Sequence, residues 1–95
     1  MTIATRITTG TTGRSSSTFA IAAGASVVVF TDQGLGNNEY VIAERSQDGG
    51  TTWRQVGNNV LVDKNVKEAR ITGPVTTCRL TISDTTTATI VYTDA

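Results

Sequence analysis

Residues 39–56 read E-Y-V-I-A-E-R-S-Q-D-G-G-T-T-W-R-Q-V, a strand, a turn and a second strand written without a break. Within this run Ser46, Asp48, Gly50, Thr52 and Trp53 fill every fixed position of the pattern S-x-D-x-G-x-T-W, the signature of an Asp-box β-hairpin. The spacing has a physical cause. An aspartate at position 48 can accept backbone N–H groups across the turn, a glycine at 50 can take a positive φ, and the indole of Trp53 can fold beneath the loop. The expectation is a hairpin of fixed register with Trp53 turned into the core.

Working outward from the hairpin, apolar stretches recur every 8 to 12 residues with turn formers between them, the spacing of a sandwich or small barrel. Toward the N-terminus lie S-T-F-A-I-A-A-G and S-V-V-V-F-T, then the loop-forming run Asp32 to Asn38. Toward the C-terminus, Gly57-Asn58-Asn59 offers residues that tolerate positive φ, followed by V-L-V as a short strand and E-A-R-I-T, closed by Gly73-Pro74. T-C-R-L-T-I-S and T-A-T-I-V-Y-T flank Asp84-Thr85-Thr86 and are expected to pair as a terminal hairpin. The reading is an all-β domain: a single small antiparallel β-sandwich of about seven strands, Ig-like or jelly-roll-like, over residues 15–95. At most one helical turn is expected, at residues 65–70. Strand alternation places Phe19, Ile21, Val27, Val29, Tyr40, Ile42, Trp53, Ile71, Cys78, Leu80, Ile82, Ile90 and Tyr92 inside. The run V-V-V-F is apolar on both faces, which suits a central strand or one that also meets a partner; the central position is preferred.

Residues 1–14 differ in kind. They hold two isoleucines, no aromatic side chain and a run of Thr and Gly, and read as a flexible N-terminal arm. Ile3, Thr5 and Ile7 alternate at strand period, so the arm is a candidate assembly element that could add to a neighbour's sheet edge.

Composition narrows the function classes. A chain of 95 residues is one domain hiding roughly 60–70% of its unfolded surface, so assembly would add welcome stability. Eight basic and eight acidic residues cancel, which speaks against nucleic acid or a membrane surface as partner. The first residues lack the pattern of a signal peptide, and synthesis in the cytoplasm is expected. There is no histidine, so the commonest general base is missing, and the acidic residues form no recognisable catalytic pair. With one cysteine and no histidine, zinc lacks ligands, and the Asp32 and Asp63 loops do not match a calcium loop. Cys78, alone in the chain, reads as a small buried apolar residue. No catalytic, metal or cofactor site is expected.

Taken together, T-F-A-I-A-A-G-A-S-V-V-V-F-T, E-R-S-Q-D-G-G-T-T-W-R-Q-V, I-T-G-P-V-T-T-C-R-L-T-I-S and T-A-T-I-V-Y-T resemble small β-sandwich virion proteins of tailed bacteriophages. The likeness covers residues 15–95, with one departure: Val75-Thr76-Thr77 stands after Gly73-Pro74 where a glycine or aromatic residue would be expected. It implies a non-enzymatic structural role in the virion, as capsid decoration or a head accessory part. The partners implied are the major capsid protein or neighbouring virion subunits, in a homo-oligomer. The alternative reading is a carbohydrate-binding or host-adhesion module of tail-fibre type, with Trp53, Tyr40 and Tyr92 as sugar platforms. The Asp box also occurs in sialidase-like propellers, but one copy cannot build a propeller.

Overall fold

A computed structural model describes residues 3–57 and 60–95. The described chain forms nine strands and no helix: β1 (Ile3–Gly10), β2 (Arg14–Ser15), β3 (Phe19–Ile21), β4 (Ser26–Thr31), β5 (Val41–Arg45), β6 (Arg54–Gln55), β7 (Glu68–Thr72), β8 (Val75–Ile82) and β9 (Thr89–Asp94). One sheet runs β1-β9-β4-β7; the other runs β2-β8-β5-β6, with β3 also paired to β8. All pairings are antiparallel. The architecture is the expected small β-sandwich, and β4 holds the central position expected of V-V-V-F, between β9 and β7.

The core lies between the two inner faces. Val27, Val29, Ile71 and Val91 from the first sheet meet Val41, Ala43, Cys78, Leu80 and Ile82 from the second. Leu80, Ile82, Val29, Val41, Val62 and Val91 are fully buried, each contributing roughly 1.5–3 kcal/mol from the apolar area it removes from water. Phe19, Val56 and Leu61 pack against the margin. Gly73 is fixed by a close approach rather than by its φ: a Cβ there would overlap the Ala22 carbonyl oxygen, while its N–H donates to Ala25 O at 2.9 Å.

Four sequence expectations are corrected. Residues 3–10 are not an arm but the edge strand of the first sheet, paired along β9 from Ile3↔Asp94 to Gly10↔Thr89, so 14/15 is no domain boundary. Ile7 is buried, and Arg14 fastens the β1–β2 connection by donating to the carbonyls of Thr12, Thr8 and Thr89. The physical reason is that Ile7 lies opposite Val91 and joins the buried cluster, apolar surface that a free arm would leave in water. The V-L-V segment at 60–62 makes only an isolated bridge, Val62 to Val41; of the preceding turn, Gly57 has φ 81°, while Asn58 and Asn59 lie outside the described residues.

The third correction concerns the end of the chain. β8 and β9 do not form a hairpin; β8 pairs β5 and β9 pairs β4 and β1, so residues 83–88 cross from one sheet to the other. Thr85 N–H to Thr11 O and the bonds of Thr86 to Glu39 hold that crossing in place. The fourth is register. On β5 it is Val41 and Ala43 that face inward, not Tyr40 and Ile42; on β9 it is Thr89, Val91 and Thr93, not Ile90 and Tyr92. Threonine is tolerated inside because its hydroxyl is satisfied there: Thr89 donates to Thr87 O at 2.8 Å and Thr93 accepts Arg6 Nε at 2.8 Å.

Candidate functional site

The inverted register of β9 creates the least expected surface of the molecule. With threonines turned in, Ile90 and Tyr92 turn out, and on β4 the alternation that buries Val27 and Val29 turns Val28 and Phe30 out beside them. Phe30 lies opposite Tyr92 and their rings stack with centroids 5.3 Å apart. From β1, Ile3 and Thr5 join the same face through their pairing with Asp94 and Tyr92; Ile3 is 59% exposed. The result is an outer face on which Val28, Phe30, Ile90 and Tyr92 are partly exposed apolar residues and Ile3 an exposed one, with Asp94 between Ile3 and Val28 and with Glu68 and Arg70 beside them on β7. Sheet faces turned to water ordinarily carry polar residues at these positions.

The three residues expected to form an assembly arm are therefore divided. Register shifts between Thr5 and Ile7 and between Ile7 and Gly10 break the strand period, so Ile3 and Thr5 stay on the outer face while Ile7 enters the core. Arg6, beside the first shift, reaches across to the other sheet, where its guanidinium lies 4.1 Å over the Phe19 ring. Sequence reasoning did not single out Val28, Phe30 or Ile90 as functional. Its available signal was V-V-V-F, apolar on both faces at once.

The Asp-box residues behave locally as expected. Asp48 Oδ1 accepts the N–H groups of Thr52 at 2.8 Å and Thr51 at 3.1 Å and the Ser46 hydroxyl at 2.7 Å. Ser46 Oγ in turn accepts Gly50 N–H at 2.8 Å, and Gly50 has φ 105°. The Thr52 N–H and then the Ser46 hydroxyl are the main reasons the Asp48 carboxyl is held down to about 2. The hairpin pairs Glu44↔Gln55 and Arg45↔Arg54. Trp53, however, is not in the core. Its Nε1 donates to Gly50 O at 3.0 Å and its ring is covered by the Arg79 guanidinium at 4.1 Å, on the outer face of the second sheet. The hairpin sits at the sheet edge, with β6 outermost, so there is no second layer on that side to receive the indole.

Two surface clefts flank these faces. One, about 390 Å³, is lined by Arg45, Gln47, Asp48, Thr52 and Arg54. The other, about 520 Å³, lies between the loop at 36–40 and residues 60–65, where Tyr40 is 38% exposed beside Asn37, Asn38, Asp63 and Asn65. Its shape is held by Glu39, a buried carboxylate that accepts Gly36 N–H at 2.8 Å, Thr86 N–H at 3.0 Å and the Thr86 hydroxyl at 3.1 Å. The backbone donors of Gly36 and Thr86 lower its pKa. Cys78 is fully buried, and burial pushes its thiol up to about 11 against the opposing pull of Arg6 and Arg45. At neutral pH it is a packing residue, not a nucleophile.

Fold and surface together define a small antiparallel β-sandwich that offers an apolar sheet face and two shallow clefts. Comparison with protein-family models, with curated proteins and with solved structures found no match.

Proposed function

We propose that the protein is a non-enzymatic structural component that works by assembly in many copies, a virion protein of the head-decoration or accessory kind. The observation that carries this reading is the outer face of the β1-β9-β4-β7 sheet, where Ile3, Val28, Phe30, Ile90 and Tyr92 stand toward solvent while threonines occupy the core side of β9. Aromatic side chains on a rigid sheet are the residues that anchor protein interfaces. Repetition on a shell lets a modest single contact hold firmly through avidity. The partners are then the major capsid protein or neighbouring virion subunits, including copies of this chain. Mass spectrometry of purified virions is expected to find the protein in many copies per particle; its absence would overturn the proposal.

A second reading, a carbohydrate-binding or host-adhesion module, draws support from Tyr40 alone among the three aromatic platforms. Trp53 is roofed by Arg79 and Tyr92 is stacked on Phe30, whereas Tyr40 borders a cleft with asparagine and aspartate neighbours. A glycan array in which native protein and Tyr40→Ala behave alike would remove that reading.

A further inference from the structure

We propose that Arg45 and Arg54 form a binding site for a tetrahedral oxyanion, a phosphate or sulfate group, at the free edge of the second sheet. The two residues are direct cross-strand partners in the β5–β6 pair. Like charges directly opposite each other on neighbouring strands oppose pairing, and here the pair is only two residues long, so little else offsets the repulsion.

The other arginines are all engaged. Arg79 pairs with Glu44 at 3.0 Å, Arg14 donates to three carbonyls, Arg6 bonds Thr93 and covers Phe19, and Arg70 bonds Ser26 at 2.7 Å. Arg45 and Arg54 make no side-chain hydrogen bond or ion pair with any described residue. They share a cleft of about 390 Å³ instead, with Gln47 as a neutral donor at its wall.

Asp48 borders the same cleft, yet it does not serve as their counter-ion. Its Oδ1 is committed to Ser46, Thr51 and Thr52 as the brace of the hairpin loop, and it forms no ion pair with either arginine. Two positive charges against one negative leave the cleft cationic.

The donor set selects the chemistry of the ligand. One guanidinium fork covers one edge of a flat carboxylate, whereas a tetrahedral oxyanion offers a separate edge of two oxygens to each of two forks. Two forks and an amide suit an anion with three or four oxygens. The cleft is large enough for such a group carried on a single sugar-sized moiety and too small for a buried polymer.

The test is an NMR titration of the ¹⁵N-labelled full chain, following the arginine Nε–H signals and the backbone of residues 44–55. Sodium phosphate and sodium sulfate are compared with sodium acetate and sodium chloride at equal ionic strength. Saturable shifts with phosphate or sulfate are expected, weakened at least roughly tenfold in Arg45→Gln and in Arg54→Gln, because each loses charge-assisted bonds to the anion. Arg70→Gln, on the other sheet, is expected to bind as the native protein does. Equal shifts with acetate or chloride, or phosphate shifts that survive both substitutions, would overturn the proposal.

Thermal unfolding separates a failed fold from a failed site. Arg54→Gln relieves the repulsion and is expected to melt at or above the native temperature without phosphate, while losing the phosphate-dependent rise. A variant that keeps this rise contradicts the site. Ribose 5-phosphate and glucosamine 6-sulfate then identify the source: tighter binding of either ester than of the free ion marks a group presented on a saccharide, and binding of the inorganic ions alone marks a site for the free ion. This site is independent of the assembly face, which lies on the other sheet.

Discussion

The outer faces of the two sheets are built on opposite plans. On the second sheet, Glu44 Oε1 accepts Arg79 Nε at 3.0 Å and the Thr81 hydroxyl at 2.7 Å, Thr81 meets Ser15 at 2.9 Å, and Arg79 covers Trp53. The polar and aromatic side chains of Glu44, Arg79, Thr81 and Trp53 thus find partners within the chain. On the first sheet, Phe30 and Tyr92 stack on each other, and Val28, Ile90 and Ile3 share their face with apolar surface turned outward. A face that satisfies itself gains nothing from a partner; a face that leaves apolar surface wet gains roughly 25 cal/mol for each Å² that a partner covers. On the proposed reading, the first sheet is the face for assembly and the second the face for solvent.

The largest effect expected from breaking this contrast comes from β1. Deleting residues 1–10 removes Ile7 from the core and strips β9 of one of its two neighbours, so circular dichroism is expected to show loss of cooperative folding. A truncated chain that folds and merely fails to assemble would restore the arm that the sequence suggested. Next comes Leu80→Ala, which empties a fully buried position of the core between the two sheets. It is expected to cost about 2–5 kcal/mol in urea unfolding and to leave any assembled protein with its surface unchanged.

Smaller effects distinguish the faces themselves. Glu44→Gln with Arg79→Gln should lower stability by no more than about 1 kcal/mol, since both groups are partly exposed, and should leave assembly intact. Phe30→Thr with Tyr92→Thr is expected to leave folding in place, because threonine suits a half-buried strand position, while reducing assembly.

The smallest effect concerns acid. Asp48 and Glu39 both titrate below their ordinary values in the folded chain, Asp48 at about 2 against a usual 3.8. A lowered folded pKa means the unfolded chain binds more protons, so their stabilisation is present above about pH 4 and is lost as pH falls toward 2. Thermal unfolding from pH 6 to pH 2 should show a falling midpoint, with a shallower fall in Asp48→Asn than in the native protein. Parallel curves would show that the Asp48 charge plays no part in holding the hairpin.

What could be read from the sequence follows how local the cause is. The Asp box is a local device, and its bonds from Asp48 and Ser46 and the positive φ of Gly50 were legible because all of its parts lie within eight residues. The position of Trp53 was not, since it depends on the hairpin being the edge of a sheet, a fact of topology. β9 is the clearest failure. Alternation in T-A-T-I-V-Y-T allows either face inward, and size favours Ile90 and Tyr92 for the core. In the structure the inward threonines are satisfied, Thr89 by the nearby Thr87 carbonyl and Thr93 by Arg6 from the far end of the chain, and the second partner is one that no local pattern announces. The same inversion hid the partly apolar outer face of the first sheet. Likewise Ile3, Thr5 and Ile7 could not be divided in advance, because the register shifts in β1 are set by β9.

The most direct measurement is quantitative mass spectrometry of virions assembled with native protein, with Phe30→Thr/Tyr92→Thr, or with Glu44→Gln/Arg79→Gln. Incorporation is expected to fall at least roughly tenfold for the first pair, a loss of about 1.4 kcal/mol or more per site, and to stay at the native level for the second. Equal incorporation of both variants, or selective loss of the Glu44/Arg79 variant, would contradict the assignment of assembly to the Phe30 and Tyr92 face.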